Sequence, residues 1–439
     1  MCEFDTCRKS CGALVRCGEP GNESCCGSEQ LCFLGGCITP GAPCATRAQC
    51  TDKEYCDPTV GKCLPLTGAG ACEYRPPAGQ FAPASLWSYT PDTDAYTQVM
   101  MSPIVIDVNG DGTPDVLANY FSVGAGYNGA GVLRALSGDD GRVLWTTAAV
   151  TEDFIHPPSS LAAGDLDGSG RIVVIAVGRS GALHAFDGRD GRRLWSSRDA
   201  SGNPATCSAN WGGPSLADLD GDGKAEIVCG LQAFDHTGVR LWNHGTGGGS
   251  VGPVVAVVDL DGDGRPDVSD GYEAFSHDGT RHPWPHAGVR GLPAVGDFVG
   301  ADGLPGRDGK PELAVVAAGA LTLVNGQTGE QLATTRLPAW NGAACVIGGT
   351  PGNGGPPTVA DFDGDGEPEV GIAALTCYSM FEVQPKAGGG VEWKLVWSRN
   401  VQDRSSSVTG SSVFDFEGDG KAEVVYADEI ALHVYRGSD

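Results

Sequence analysis

The sequence predicts an all-β fold, a seven-bladed β-propeller preceded by a small disulfide-rich domain. Three observations carry this expectation. Thirteen of the 17 cysteines crowd into the first 72 residues, one acidic loop recurs seven times, and a Trp-ended phrase recurs between its copies. The composition agrees: Gly 68 and Pro 28 with short apolar runs favour many turns over helices.

The first element is the cysteine module, residues 1–75. Cysteines at this density read as disulfide staples made in an oxidising compartment. A zinc site asks for CxxC pairs, and the module has none. An odd count of thirteen, in a chain opening on "MCEFDTC", points to a longer precursor that carried an export signal. A linker is expected over 76–84 and the propeller over 85–439.

The formal charge of −26 excludes nucleic acid as a partner, because a phosphate backbone would be repelled. No apolar run approaches the roughly 18 residues that a bilayer span needs, so no membrane insertion is expected. The acidity is concentrated in the repeated loop. "DLDGDGKAE" sets Asp218, Asp220, Asp222 and Glu226 at positions one, three, five and nine, with Lys224 at seven. Carboxylates this close repel unless a cation holds them.

Three further copies are complete: Asp259, Asp261, Asp263, Arg265 and Asp267; Asp361, Asp363, Asp365, Glu367 and Glu369; Asp415, Glu417, Asp419, Lys421 and Glu423. The copy at Asp107 has Asn109 at position three, then Asp111, Thr113 and Asp115. The copy at Asp165 has only Asp167 besides, with Ser169, Arg171 and, at position nine, Val173. The last copy is interrupted by "FVGADGLPGR" between Asp297 and Asp308, then continues through Lys310 to Glu312. Side-chain oxygens at one, three, five and nine, with the backbone carbonyl at seven, form the hard oxygen shell that suits Ca²⁺. Up to seven Ca²⁺ are expected, the site at Asp165 the weakest. A polar hairpin turn explains one such copy; seven on one template ask for a metal.

Apolar runs flank every loop, so each joins two strands. The phrases "LRALSGDDGRVLW", "LHAFDGRDGRRLW", "LQAFDHTGVRLW" and "YEAFSHDGTRHPW" supply two more strands and the turn between them. Four strands make one blade. The tryptophans, at one repeated position, read as blade-to-blade packing. The last unit lacks a fourth strand, and "ASLWSYT" with Trp87 is expected to supply it and close the ring.

The DxDGDG loops between strands resemble the FG-GAP/VCBS repeats of integrin α-subunit propellers, over about residues 85 to 439. The resemblance implies Ca²⁺ on one face and a ligand, protein or glycan, on the other. The segment "APCATRAQCTDKEYCDPTVGKC" resembles cysteine-rich modules of the colipase or Dickkopf type.

The acidic loop and the turn before the fourth strand share a face, so the longer connections form the opposite one, where binding is expected. Trp211, Trp340, Tyr120, Tyr127 and His156 are the ligand candidates there. Cys207 and Cys229 flank the third acidic loop as Cys345 and Cys377 flank the sixth, which predicts two disulfides. "GGSVG" around Ser250 precedes a strand rather than a helix, and no HExxH occurs, so no catalytic residue is assigned. His244 and His286 read as polar residues of the ligand face. The functional expectation is a secreted or cell-surface calcium-binding recognition or adhesion protein without enzymatic activity. The alternatives are a calcium-dependent lectin, a polysaccharide lyase, or a structural surface or filament component.

Overall fold

The structure, a computed structural model, describes residues 84–91 and 95–437 apart from 149, 151, 208–210, 248–251, 286–289 and 418. It also describes eight short strands and adjoining turns in the first 65 residues. Residues 76–83 of the expected linker, Ser250, His286, Cys11, Cys50 and Cys72 lie outside the described residues. The chain divides into two compact units, Met1–Pro77 and Ala78–Asp439.

The first unit consists of two-residue to four-residue strands paired as hairpins, for example Leu31–Phe33 with Gly36–Ile38. Such strands bury too little apolar surface to hold themselves together. Cys26 is bonded to Cys37, and Cys25, Cys44 and Cys63 are also in disulfides.

The second unit is a seven-bladed propeller of antiparallel sheets. Blade one has five strands: Tyr96–Gln98, Ile104–Ile106, Asp115–Ser122, Gly131–Leu136 and Val143–Thr146. Blades two, three, five and six have four each, beginning at Ala162–Asp165, Ser215–Ala217, Leu292–Gly296 and Thr358–Ala360. Blade four, beginning at Ala256–Val258, and blade seven, beginning at Ser412–Phe414, have three. First strands of successive blades lie side by side around the axis.

Apolar alternation places the core at the seams between blades. Leu133, Ala135 and Trp145 of blade one meet Val174, Ala176 and Phe186 of blade two in one cluster, and the pattern recurs through blades six and seven. The repeated tryptophan locks the seam wherever it occurs, and only the last strand of blade five, Gln331–Arg336, carries Ala333 in its place. Trp145 lies on Gly191 of the next blade so closely that a Cβ there would meet the ring at 2.5 Å, and its Nε1 donates to the Gly188 carbonyl at 2.7 Å.

Trp87 makes the same two contacts on blade one, against Gly141 and the Gly138 carbonyl. The expected register is therefore present, but the expected strand is not. Residues 84–91 form no ladder, and the last blade stays three-stranded. Blade four departs for a different reason. Its fourth strand would run through "HPWP", where Pro283 and Pro285 have no N–H to donate, and it is reduced to one bridge, Phe275 with Arg281.

Candidate metal centre

Each acidic loop is first a backbone device. Asp218 accepts N–H bonds from Gly221 (2.8 Å), Asp222 (3.1 Å) and Gly223 (2.9 Å), and Asp107, Asp259, Asp361 and Asp415 hold their loops in the same way. The bend passes through positive φ at Gly221 (78°) and Gly223 (83°), which glycine adopts without strain. The interrupted copy restores the same turn: Asp297 accepts from Asp308 and Gly309 across the insertion, at 3.0 and 2.8 Å.

Position nine carries the unusual charge. Asp115, Glu226, Asp267, Glu312, Glu369 and Glu423 are all buried, and each accepts an N–H bond from the residue after the first aspartate, such as Leu219 to Glu226 at 2.9 Å. Burial, with the neighbouring loop carboxylates adding to it, pushes Glu312, Glu369 and Glu423 up to about 7 and raises Asp115, Glu226 and Asp267. A buried charge wants a partner. Among the described residues, the only ion pair reaching these six is His282 Nε2 to Asp267 Oδ1, at 3.1 Å.

The donor set fits a metal ion. Carboxylate oxygens of Asp218, Asp220 and Glu226 lie within 4.8 Å of one another, as do those of Asp259, Asp261 and Asp263, and of Asp361, Asp363 and Asp365. Asp261, Asp267 and His282 form a fourth such group. His282 escaped the sequence reading because it lies outside the loop, and its place two residues before Trp284 is the only signal that pointed to it. Thr113, Arg171, Lys224, Arg265, Lys310, Glu367 and Lys421 occupy position seven, where the donor would be the main-chain carbonyl. The loop at Asp165 has buried Val173 in place of the ninth carboxylate.

The opposite face carries a cavity of about 420 Å³ on the propeller axis. All seven blades line it, through residues at or just before their first strands: Met100 to Ser102, Ser160, Trp211, Val254, Leu292, Pro356 and the 406–412 segment. Ser102, Ser160, Ser406, Thr409, Ser411 and Ser412 supply hydroxyls, and no described lining residue is charged. Buried Asp403 holds the serine-rich segment by accepting from Ser406 Oγ and the Ser407 and Thr409 N–H groups. Ser411 Oγ is fixed by Thr358 Oγ1 (2.7 Å) and Tyr378 OH (2.9 Å).

Of the ligand candidates, Trp211 lines this cavity with Tyr127 against it, ring centroids 5.4 Å apart. Trp340 lines a separate cleft. His156 is half-buried, its Nδ1 3.1 Å from Ser159 Oγ, and burial with nearby Arg179 lowers its pKa. Tyr120 is a correction: its strand runs on to Ser122, which buries the ring beneath Arg134 and Tyr89 and removes it from the surface. The two propeller disulfides are Cys207–Cys229 and Cys345–Cys377.

Comparison with known proteins places the chain among propellers. The family described as outer membrane protein assembly factor BamB matches residues 110–263, less than half of the chain. No curated protein matches the sequence. The solved structure of the biofilm matrix protein Bap1 of V. cholerae is similar at 17% identity and TM-score 0.55, over 80% of this chain and 81% of that one. A rhamnogalacturonan lyase of Bacillus licheniformis has 18% identity and TM-score 0.46 over 83% and 76%, and BamB of Moraxella catarrhalis has 14% and 0.30 over 68% and 86%. The expectation of a chain without enzymatic activity is corrected by this set. Solved structures similar to this chain include rhamnogalacturonan lyases and a methanol dehydrogenase, which are enzymes. Among the described residues, no helix is long and apolar enough to cross a membrane.

Proposed function

We propose that this chain is an extracellular propeller, loaded with Ca²⁺ on one face through FG-GAP/VCBS-type loops, that recognises a glycan at the axial cavity of the other. The cavity lining carries this reading. Hydroxyls fixed in place by buried partners, one indole and no charge suit a neutral polyhydroxylated ligand, which needs many weak hydrogen bonds and one apolar face. An anionic substrate would call for cationic side chains in the lining. The oxygen-only loops support Ca²⁺ over softer metals, and the disulfides support a secreted or surface location. A matrix or surface setting, as for Bap1, accords with both.

A glycan array in calcium and in EDTA tests the proposal, with product analysis for unsaturated sugars alongside. Neutral glycans should bind in calcium, and Trp211→Ala should abolish binding without moving the melting temperature. Binding unchanged in Trp211→Ala would refute the cavity assignment. Unsaturated products would mark the cavity as a lyase site.

A further inference from the structure

The connection between blades five and six builds something the ring does not need. After the last strand of blade five, Gln331–Arg336, the chain forms a hairpin of Pro338–Trp340 with Cys345–Ile347 that belongs to no blade. The Cys345–Cys377 bond ties it to the strand Cys377–Pro385 of blade six. A hairpin kept only for packing would turn its apolar residues inward, yet Trp340 is 39% exposed, Val346 38% and Ile347 48%. These three line a cleft of about 530 Å³, together with Asn341, Thr376 and Arg404. Arg404 is exposed, and its guanidinium has no ion-pair partner among the described residues.

The geometry points to a second ligand site in this cleft, for a single acidic sugar residue. An indole face takes the apolar side of a pyranose ring, and a guanidinium pairs with a carboxylate through two parallel hydrogen bonds. The Asn341 carbonyl oxygen already accepts from the Ala343 and Ala344 N–H groups, which leaves its amide nitrogen to donate to a sugar hydroxyl. Charge complementarity sets the limit on the ligand. One arginine in a chain of formal charge −26 admits one carboxylate, whereas a polyuronate would be repelled by the remainder. The ligand is therefore an acidic residue at the end of a glycan. This site does not depend on the reading of the axial cavity, whose described lining carries no charge.

Titration of the full chain in calcium buffer with glucuronate, galacturonate and N-acetylneuraminate, followed by tryptophan fluorescence and calorimetry, tests the assignment; glucose and acetate serve as controls. At least one acidic sugar should bind, and glucose and acetate should not. Arg404→Gln should weaken that binding about tenfold or more, the loss of one charge-assisted pair. Arg404→Lys should restore part of it, Trp340→Ala should abolish it, and Trp211→Ala should leave it unchanged. Melting curves matching wild type establish that the variants fold. No response to any of the three sugars, an equal response to acetate, or an affinity unmoved by both Arg404→Gln and Trp340→Ala overturns the site. Tighter binding of an acidic hexapeptide than of any sugar also overturns it, in favour of a protein ligand.

Discussion

The loops at Asp218 and Asp165 form the same turn but differ at exposed position five, where Ser169 stands for Asp222, and at buried position nine. In both, the first aspartate accepts backbone N–H bonds from residues at positions five and six, Asp222 and Gly223 in one, Ser169 and Gly170 in the other. Position nine is Glu226 in the first and Val173 in the second, both buried. The Asp165 turn closes without a ninth carboxylate, so the charge buried there in six other blades serves something besides the turn. A cation shell is the use that its position and chemistry support.

The comparison can be broken most simply by chelation. Six loops carry the ninth carboxylate, and a ligand that binds only the folded state stabilises by about 2.7 kcal/mol per site at a hundredfold excess over Kd. EDTA should therefore lower the melting temperature substantially. Unchanged melting in EDTA would remove the metal reading.

Exchanging the two residues sharpens the point. Glu226→Val should destabilise the calcium-loaded protein by up to about 2.7 kcal/mol, the stabilisation one site contributes at that excess. In EDTA the same change should be neutral or stabilising, because an apolar side chain replaces an uncompensated buried acid. Denaturant melts in both buffers distinguish this from a simple packing loss, which would destabilise in both.

The pH dependence follows from the same group. An acid whose folded pKa is raised takes up a proton on folding, so stability falls as pH rises between the ordinary 4.5 and the folded value near 7 of Glu312, Glu369 and Glu423. In EDTA the melting temperature should therefore drop from pH 5 to pH 7 and level off above. Calcium, which needs the ionised form, should give its largest stabilisation at the upper end. Melts across this range with and without calcium would show the two curves diverging; parallel curves would count against shared groups. The smallest effect belongs to the weak loop: Asp167→Ala should change stability by about 0.5 kcal/mol or less, and Asp220→Ala by clearly more.

How much of this was legible depends on repetition. The loops, the seam tryptophans and the two propeller disulfides recur at fixed spacing, so each copy supports the others and the sequence shows the pattern directly. Trp87 illustrates the limit. Its "LW" setting predicts the contact on blade one, which forms, but a ladder requires backbone pairing that side-chain pattern does not report. Tyr120 misled because "ANYFSVGAG" looks like a connection, whereas the strand runs on through Tyr120 to Ser122. The 338–347 hairpin and the Asp403-centred segment occur once each, so no internal comparison exposes them. Arg404 lies outside any motif, and His282, although within the Trp-ended phrase, comes near the Asp267 loop only through folding.

The most direct test of the central claim is the calcium content of the intact chain, measured by elemental analysis after dialysis against trace calcium. We expect six tightly held ions per chain, one for each buried ninth carboxylate, falling to five in Glu226→Val and staying at six in Asp167→Ala. A chain that retains one ion or none, or loses as much calcium in Asp167→Ala as in Glu226→Val, would contradict the account.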